Sequence, residues 1–159
     1  MKPVDVHTEI DIDRPVDVVA AFAADPDNAP AWYDNIVSIQ WRTAPPLQVG
    51  TVVAFVARFL GRRLSYDYEM VEHEPGARLV MRTQQGPFPM ETTYTWQARP
   101  TGTHMTLRNR GTPSGFSALA TVVMTPAMRR ANRRDLATLK EILETTDPTQ
   151  EHLDDAEPD

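Results

Sequence analysis

The fold is decided by the stretch GRRLSYDYEMVEHEPGARLVMRTQQG, residues 61–86, in which apolar and polar side chains alternate on both sides of a Pro-Gly pair. Tyr66 and Tyr68 lie two residues apart before that pair. Leu79 and Met81 repeat the spacing after it. A period of two is typical of a strand with one buried face, and a connection this short permits only antiparallel pairing. The stretch therefore predicts an antiparallel hairpin with one apolar and one polar face.

The same period extends over most of the chain around this hairpin. Turn signals rich in Pro and Gly separate the alternating segments, as expected for strands that pair with their neighbours in sequence. A further alternating segment covers residues 3–13. The other predicted strands are 36–42, 51–60, 63–73, 77–84, 89–98 and 103–110. About seven such strands form a sheet with one apolar and one polar face.

Two regions have helical spacing instead. Pro15 stops the first strand and suits the first turn of a short helix, with Asp13 as a candidate cap. The prolines that follow leave room only for a second short helix that ends near Trp32. A segment of about 30 residues after Gly115 predicts one long helix, which Pro126 should kink or break. Its predicted apolar side is formed by Phe116, Leu119, Val123, Ala127, Ala131, Leu136, Leu139 and Leu143.

These elements predict an α+β fold. A sheet with one apolar face must bury that face, and the long helix is the only predicted element that can cover it. We therefore expect a curved antiparallel sheet wrapped around a long C-terminal helix, with two short helices between the first and second strands. Residues 1–145 hold all of these elements and are close to the usual size of one domain.

Composition is that of a soluble globular protein. The chain has 159 residues, 41% of them hydrophobic, no cysteine and no apolar run long enough to cross a membrane. Residues 144–159 carry seven acids and no Lys or Arg, so the net charge of −6 belongs to this tail. We expect residues 146–159 to be disordered because they have too few apolar side chains to fold. The expected location is the cytoplasm, and the lack of a basic stripe argues against nucleic acid as a partner.

Motifs for metal, nucleotide and hydrolase chemistry are missing from the sequence. The histidines at positions 7, 73, 104 and 152 lack metal-ligand spacing, and no GxSxG, GxGxxG or GxxxxGK[ST] segment occurs. We therefore expect neither a metal nor a cofactor. Asp67 and Glu69 have an i, i+2 spacing that paired glycosidase carboxylates could use, but they lie on the polar face. We interpret them as ion-pair partners of arginines on neighbouring strands.

The apolar face carries the remaining functional signal. It is rich in Tyr, Met and Phe, which are common in small-molecule pockets, and buried tyrosine hydroxyls need hydrogen-bond partners. A filled core explains any one of these residues equally well, so the prediction depends on the set as a whole. The predicted ligand-binding residues are Trp32, Tyr33, Phe55, Phe59, Tyr66, Tyr68, Met81, Met90, Tyr94, Asn109, Phe116 and Met124.

Three segments resemble the START-like, or SRPBCC, superfamily. The segment IDIDRPVDVVAAFAADPDNAPAW (10–32) is similar to the opening strand and proline-started helix of that superfamily. The segments PGARLVMRTQQGPFPMETTYTW (75–96) and MTLRNRGTPSGF (105–116) resemble its bacterial polyketide cyclase/dehydrase branch. The resemblance covers residues 3–145 and implies the helix-grip fold. It implies no catalytic set, because members include ligand carriers, aromatase/cyclases, lipid-transfer proteins and co-chaperone modules.

Three functions remain open from the sequence. The first is binding of a small hydrophobic or aromatic ligand, lipid- or polyketide-like, between the sheet and the long helix. The second is an aromatase/cyclase that acts on a poly-β-ketone, for which no inward Asp, Glu or His is evident as a base. The third is a non-catalytic interaction module that uses the arginine-bearing helix and the acidic tail. The expected partner is a small hydrophobic molecule, and the sequence leaves open whether the chain forms a homodimer.

Overall fold

The computed structural model describes residues 3–59, 61–85, 89–112 and 118–145. The predicted element order is confirmed: a strand, two short helices, six strands and a long helix. The helices are α1 (Val16–Ala24), α2 (Ala29–Trp32) and α3 (Ala118–Thr145), and a 3-10 turn, Pro26–Asn28, joins α1 to α2. The strands are β1 (Val4–Ile12), β2 (Ile36–Trp41), β3 (Val52–Phe59), β4 (Arg62–Glu74), β5 (Arg78–Thr83), β6 (Met90–Arg99) and β7 (Gly102–Gly111). The predicted disordered tail, 146–159, lies outside the described residues.

All seven of these strands belong to one antiparallel sheet. Its order is β1-β7-β6-β5-β4-β3-β2, so each strand from β2 to β7 pairs with its neighbour in sequence. β1 forms the far edge by pairing with β7. Register shifts between Ile36 and Ser38 and between Met70 and Glu72 mark bulges, which bend and twist strands. The sheet therefore curves around the helix, in the helix-grip arrangement that the sequence predicts.

The long helix α3 packs mainly against β1 at one edge of the sheet. Pro126 lies inside it without dividing it into two helices. Met124 and Met128 begin the packed side of the helix, against the first residues of β1. The buried side chains that continue this side are Asn132, Asp135, Leu136, Leu139 and Leu143. The helix therefore buries a stripe that is apolar at both ends and polar in the middle.

The predicted apolar side of α3 is correct at its C-terminal end and wrong at Val123 and Ala127, while the side chains of Phe116 and Leu119 lie outside the described part of the chain. Leu136, Leu139 and Leu143 are buried, as predicted. Val123 is 63% exposed, and Ala127 is exposed as well. The positions that pack on β1 lie one residue further on, at the half-buried Met124 and Met128. The error arises because the true stripe runs through two polar residues, which a search for apolar residues passes over.

The two short helices cover part of the apolar face. α1 packs on β6, and α2 packs on β2 and α3. The Asp25 carboxylate accepts a 3.0 Å hydrogen bond from the Asp27 N–H and so starts the 3-10 turn. No side chain caps α1, so the cap predicted for Asp13 is not formed. Trp32, at the end of α2, is 1% exposed and anchors the chain as it enters β2.

The polar face is occupied by cross-strand ion pairs. Arg82 Nε is 2.7 Å from a Glu91 carboxylate oxygen, and Arg42 Nε is 3.4 Å from Asp67 Oδ1. Asp67 therefore forms an ion pair as predicted, but with Arg42 after β2 rather than with an arginine on an adjacent strand, and no ion pair of Glu69 is found within the described ranges. Exposed pairs contribute little to stability because solvent screens them. Several carboxylates of this face are therefore engaged with arginines, and the candidate site lies on the other face.

Candidate functional site

A cavity of about 150 Å³ lies between the apolar face of the sheet and the segment that joins α2 to β2. Residues of β3, β4, β5, β6 and β7 form its sheet side, while Tyr33, Asn35 and Ile36 form the opposite side. The lining residues are Tyr33, Asn35, Ile36, Phe55, Ala57, Tyr66, Tyr68, Met81, Thr92, Tyr94 and Asn109. A mainly apolar, aromatic lining with a few polar groups is the usual composition of a small-molecule pocket.

The structure brings most of the predicted ligand-binding residues together around this cavity. Those in the lining are Tyr33, Phe55, Tyr66, Tyr68, Met81, Tyr94 and Asn109. Trp32 lies directly behind them, with its ring centroid 4.1 Å from that of Tyr33. Each strand contributes every second residue, so the period of two brings these side chains to one face.

The other predicted residues are not in the described lining. Met90 and Met124 pack together against the first residues of β1. Phe116 and the side chain of Phe59 lie outside the part of the chain that is described. In the described lining, the side opposite the sheet is formed by the connection from α2 to β2, and the described residues of α3, where the sequence predicts that wall, are not part of it. The described part of α3 packs on the sheet mainly through β1, at the edge away from β3 and β4.

A pair of tyrosines forms the polar centre of the cavity. The hydroxyl oxygens of Tyr33 and Tyr94 are 2.5 Å apart, and either can donate to the other. Trp32 packs on both rings, with centroid distances of 4.1 Å and 5.9 Å. Burial raises the pKa of Tyr33 and of Tyr94 above the ordinary value, so both are phenols at neutral pH. One hydroxyl donates within the pair, and the other keeps an O–H that can donate to a ligand.

A second polar group lies on the neighbouring strand residues. Thr92 Oγ1 donates a 2.8 Å hydrogen bond to Asn109 Oδ1. This bond fixes the Asn109 amide and leaves its Nδ2 with two N–H donors. Tyr68 packs edge to face on Phe55, with ring centroids 5.5 Å apart, and burial raises the pKa of Tyr68 as well. The polar groups of the cavity therefore present donors, which suit a ligand that carries an acceptor oxygen.

A buried carboxyl group lies close to the tyrosine pair. Asp135, on α3, is 4% exposed, and its Oδ1 accepts a 3.2 Å hydrogen bond from the backbone N–H of Asp34. Burial raises the pKa of Asp135 to about 6. Its carboxylate also contributes to raising the pKa of Tyr33 and of Tyr94. The expectation that no acidic side chain points inward is therefore wrong.

Two buried donors near this group have no acceptor. Trp32 Nε1 and Asn132 Nδ2 have no hydrogen-bond partner within the described ranges. Asn132 precedes Asp135 by three residues on α3, so the two share one side of the helix. Buried polar groups are nearly always satisfied by protein, water or ligand. The interior next to the tyrosine pair therefore holds two polar donors that the described residues leave unsatisfied.

The described ranges contain no group of three His, Cys, Asp or Glu side chains placed as metal ligands. None of the helices in those ranges is long and apolar enough to span a membrane. The polar groups at and beside the cavity are phenols, two amides, a hydroxyl and a carboxyl.

Comparison with known proteins places this site in a family. The family described as polyketide cyclase/dehydrase and lipid transport matches residues 3–144. The chain belongs to this family. The match includes every strand and nearly all of α3, and it confirms the resemblance that the three quoted segments carry. No curated protein sequence matches the chain.

Solved structures share the fold of this family member at low sequence identity. The aromatase/cyclase Zhui from Streptomyces sp. R1128 has a TM-score of 0.76 at 13% identity, over 90% of this chain and 94% of that one. The di-domain ARO/CYC StfQ of the steffimycin biosynthetic pathway has a TM-score of 0.74 at 14% identity. That match covers 87% of this chain, which spans 50% of StfQ. Protein MLL2253 from Mesorhizobium loti has a TM-score of 0.68 at 21% identity, over 90% and 98% of the two chains. At such identities the likeness shows the helix-grip fold alone.

Proposed function

We propose that this family member binds a small aromatic or polyketide-like molecule that carries a carbonyl oxygen. The observation that supports this proposal is the Tyr33–Tyr94 pair, which places a phenolic donor in a mainly apolar cavity. Phe55 and Met81 offer apolar surface to a ring. The free O–H of the pair and the N–H groups of Asn109 need a hydrogen-bond acceptor, and a carbonyl oxygen is one. Ring and carbonyl together therefore match the two kinds of surface in the cavity.

The volume of the cavity limits how much of a ligand is enclosed. An apolar cavity of about 150 Å³ holds one benzene-sized ring. Asn35 is exposed and Tyr66 is half-buried, so these two residues mark the side of the cavity that faces solvent. A longer polyketide or lipid would place one end among the tyrosines and extend past this rim.

A titration with two matched probes tests the proposal. Acetophenone carries a carbonyl that ethylbenzene lacks, and the two molecules are otherwise close in shape. We expect acetophenone to bind about three- to tenfold more tightly by calorimetry or NMR, because it accepts a hydrogen bond from the tyrosine pair. The double variant Tyr33→Phe/Tyr94→Phe should lose this preference, since Tyr33 alone could still donate in the single Tyr94 variant.

The matched control is Tyr66→Phe, which removes a hydroxyl from the rim of the same cavity. It should keep the preference for acetophenone. Equal binding of ethylbenzene, or an equal loss in the Tyr66 variant, would show that the tyrosine pair does not select a carbonyl.

A second candidate function is ring closure of a poly-β-ketone, and the position of Asp135 favours it. Aldol closure needs a base that removes a proton from a carbon next to one carbonyl and an acid that donates to the oxygen of another. A carboxyl with a pKa of about 6 is mostly ionised at neutral pH, so Asp135 suits the first role. The phenols of Tyr33 and Tyr94 suit the second. Asp135 is not among the described lining residues, so it would act as the base through one tyrosine of the pair. That hydroxyl oxygen would take the proton from carbon as its own proton passes to Asp135, while the other phenol donates to the carbonyl oxygen.

Product analysis separates this candidate from simple binding. The purified chain is incubated with a synthetic poly-β-ketone thioester, and the cyclised products are compared with those of the spontaneous reaction. A cyclase should form one product faster than background, with a rate that rises with pH through about 6 as the carboxyl of Asp135 ionises. Asp135→Asn should lose this rate and keep acetophenone binding. If the wild-type chain gives only the background mixture, the cyclase candidate is wrong.

A further inference from the structure

A second concave site lies apart from the tyrosine cavity. It is a groove of about 580 Å³ between α1 with its 3-10 turn and the β2–β3 and β4–β5 connections. Trp41 at the end of β2 and Trp96 on β6 line it together with small residues of α1. The described linings of groove and cavity have no residue in common. The groove is therefore a separate candidate site.

The charged side chains in the groove are mostly of one sign. Asp17, Asp25 and Asp27 line it, while His73 is the only basic residue in the described lining. Within the described part of the chain, none of the three carboxylates forms a salt bridge. On the polar face of the sheet, by contrast, several carboxylates have an arginine partner. The groove therefore holds negative charge that the described part of the protein does not neutralise.

The indole of Trp41 lies beside these carboxylates. Trp41 Nε1 donates a 2.9 Å hydrogen bond to Asp27 Oδ1, which ties the indole to the carboxylate. Indole is the strongest cation–π acceptor among the side chains, and a nearby carboxylate adds to its attraction for a cation. Because the hydrogen bond restrains the indole, little side-chain entropy is lost when a ligand binds against it.

Trp96 adds a second indole to the groove. This residue is 5% exposed, lines the groove, and has an Nε1 with no hydrogen-bond partner among the described residues. A buried indole N–H normally has an acceptor. Because this N–H lies inside the protein, Trp96 offers the groove the apolar part of its ring.

We propose that the groove binds a small organic amine, with an ammonium group at the aspartates and an apolar body against the two indoles. The groove is large enough for such a molecule, since small-molecule sites usually have volumes of about 300–1,000 Å³. The ammonium is attracted by the carboxylates and by the face of Trp41, and the alanines of α1 accept the apolar part. This activity is separate from ligand binding at the tyrosine pair.

Three small probes of similar size test the charge requirement. Benzyltrimethylammonium is a permanent cation, benzyl alcohol is neutral and 3-phenylpropanoate is an anion. Each is titrated into the full chain with the backbone and indole N–H signals followed by NMR. We expect only the cation to shift the indole signals of Trp41 and Trp96 and the amides of Ala21 and Gly76. Its affinity should fall as salt is raised, because exposed charges are screened.

Substitutions locate the site. Asp17→Asn removes one charge without touching the Asp27–Trp41 hydrogen bond and should weaken binding of the cation about two- to fivefold. Trp41→Phe should weaken it by a similar factor, with circular dichroism to confirm that the variant is folded. Asp13→Asn removes an exposed acid outside the groove and should leave the affinity unchanged. Asn109→Leu, in the tyrosine cavity, should also leave it unchanged.

Three results would overturn the proposal. The first is equal binding of benzyl alcohol, which would make the groove a general apolar surface. The second is an equal effect of Asp17→Asn and Asp13→Asn, which would show that the net charge of the protein, and not the groove, attracts the cation. The third is a shift pattern centred on Tyr33 and Tyr94, which would move the amine to the other cavity.

Discussion

Replacing Asp135 by Asn should stabilise the protein at neutral pH. Asp135 carries its charge in a buried position, and its pKa is raised from the ordinary 3.8 to about 6 because burial disfavours the ionised form. A folded-state pKa above the unfolded one means that the folded chain holds the proton more tightly between these pH values. Below about pH 4 the group is protonated in both states and does not lower the free energy of unfolding. As pH rises to about 6, ionisation is easier in the unfolded chain, so the free energy of unfolding falls. Asn keeps the oxygen that accepts from the Asp34 N–H and carries no charge.

The size of the effect follows from the shift. A difference of about two pKa units corresponds to about 3 kcal/mol at most, at 1.36 kcal/mol per unit. Solvent near the carboxylate screens part of this, so we expect Asp135→Asn to gain about 1–2 kcal/mol at pH 7.5. For a chain of this length the melting temperature should rise by about 3–6 °C.

Urea denaturation of both proteins between pH 4 and pH 8 measures this effect. The difference in unfolding free energy removes the contribution of all other titrating groups, provided that they are unchanged. We expect the advantage of the Asn variant to grow between pH 4 and pH 6 and then to stay constant. A difference independent of pH, or an Asn variant that is less stable at pH 7.5, would refute the buried-charge account of Asp135.

Two further predictions concern the fold. An added Cβ at Gly102 would lie 2.2 Å from the carbonyl oxygen of Ile12, at a φ of +151°, so Gly102→Ala should destabilise by at least about 3 kcal/mol. Gly76→Ala, at a φ of +78° with open space around it, should cost only about 1 kcal/mol in the same denaturation assay. Leu139 is 0% exposed, and Leu139→Ala should cost about 2–5 kcal/mol. Val123→Ala, at a residue 63% exposed, should change stability by less than about 0.5 kcal/mol, and a large loss there would show that this part of α3 is packed.

A destabilising residue in a protein interior is often retained for function. If Asp135→Asn is more stable, the placement of this carboxyl beside Tyr33 and Tyr94 is not explained by folding. Perturbed carboxyl groups are common at catalytic and ligand sites for this reason. The denaturation experiment therefore measures what the carboxyl group of Asp135 costs in stability, and the product analysis measures what it contributes to ring closure.

The sheet could be predicted almost completely from the sequence. Alternation over β4 and β5 fixes which face each residue occupies, and the Pro75-Gly76 pair marks the turn between them. The cavity tyrosines Tyr68 and Tyr94 follow from the same rule, because parity alone places them on the buried face. Short connections then leave only antiparallel neighbours.

The site is less predictable where it depends on packing between distant elements. The contact of Asp135 with the Asp34 N–H joins residues 101 positions apart, and no local pattern encodes it. One signal was present: continuing the stripe of Leu139 and Leu143 back by helical steps of three or four reaches Asp135 and Asn132. The groove beside Trp41 depends on how the β2–β3 connection packs against α1, which alternation does not specify.

The pairing of β1 with β7 has a consequence for synthesis. Thr8 in β1 lies against Leu107 in β7, 99 residues later in the chain. The ribosome adds about 5–20 residues per second, so β1 leaves it and waits about 5–20 seconds for its partner. During that time its alternating valines and isoleucines form an unpaired strand edge open to other nascent chains. The first strand therefore gains its pairing partner only when the last strand has been synthesised. We expect β1 to be the segment that a chaperone binds during translation.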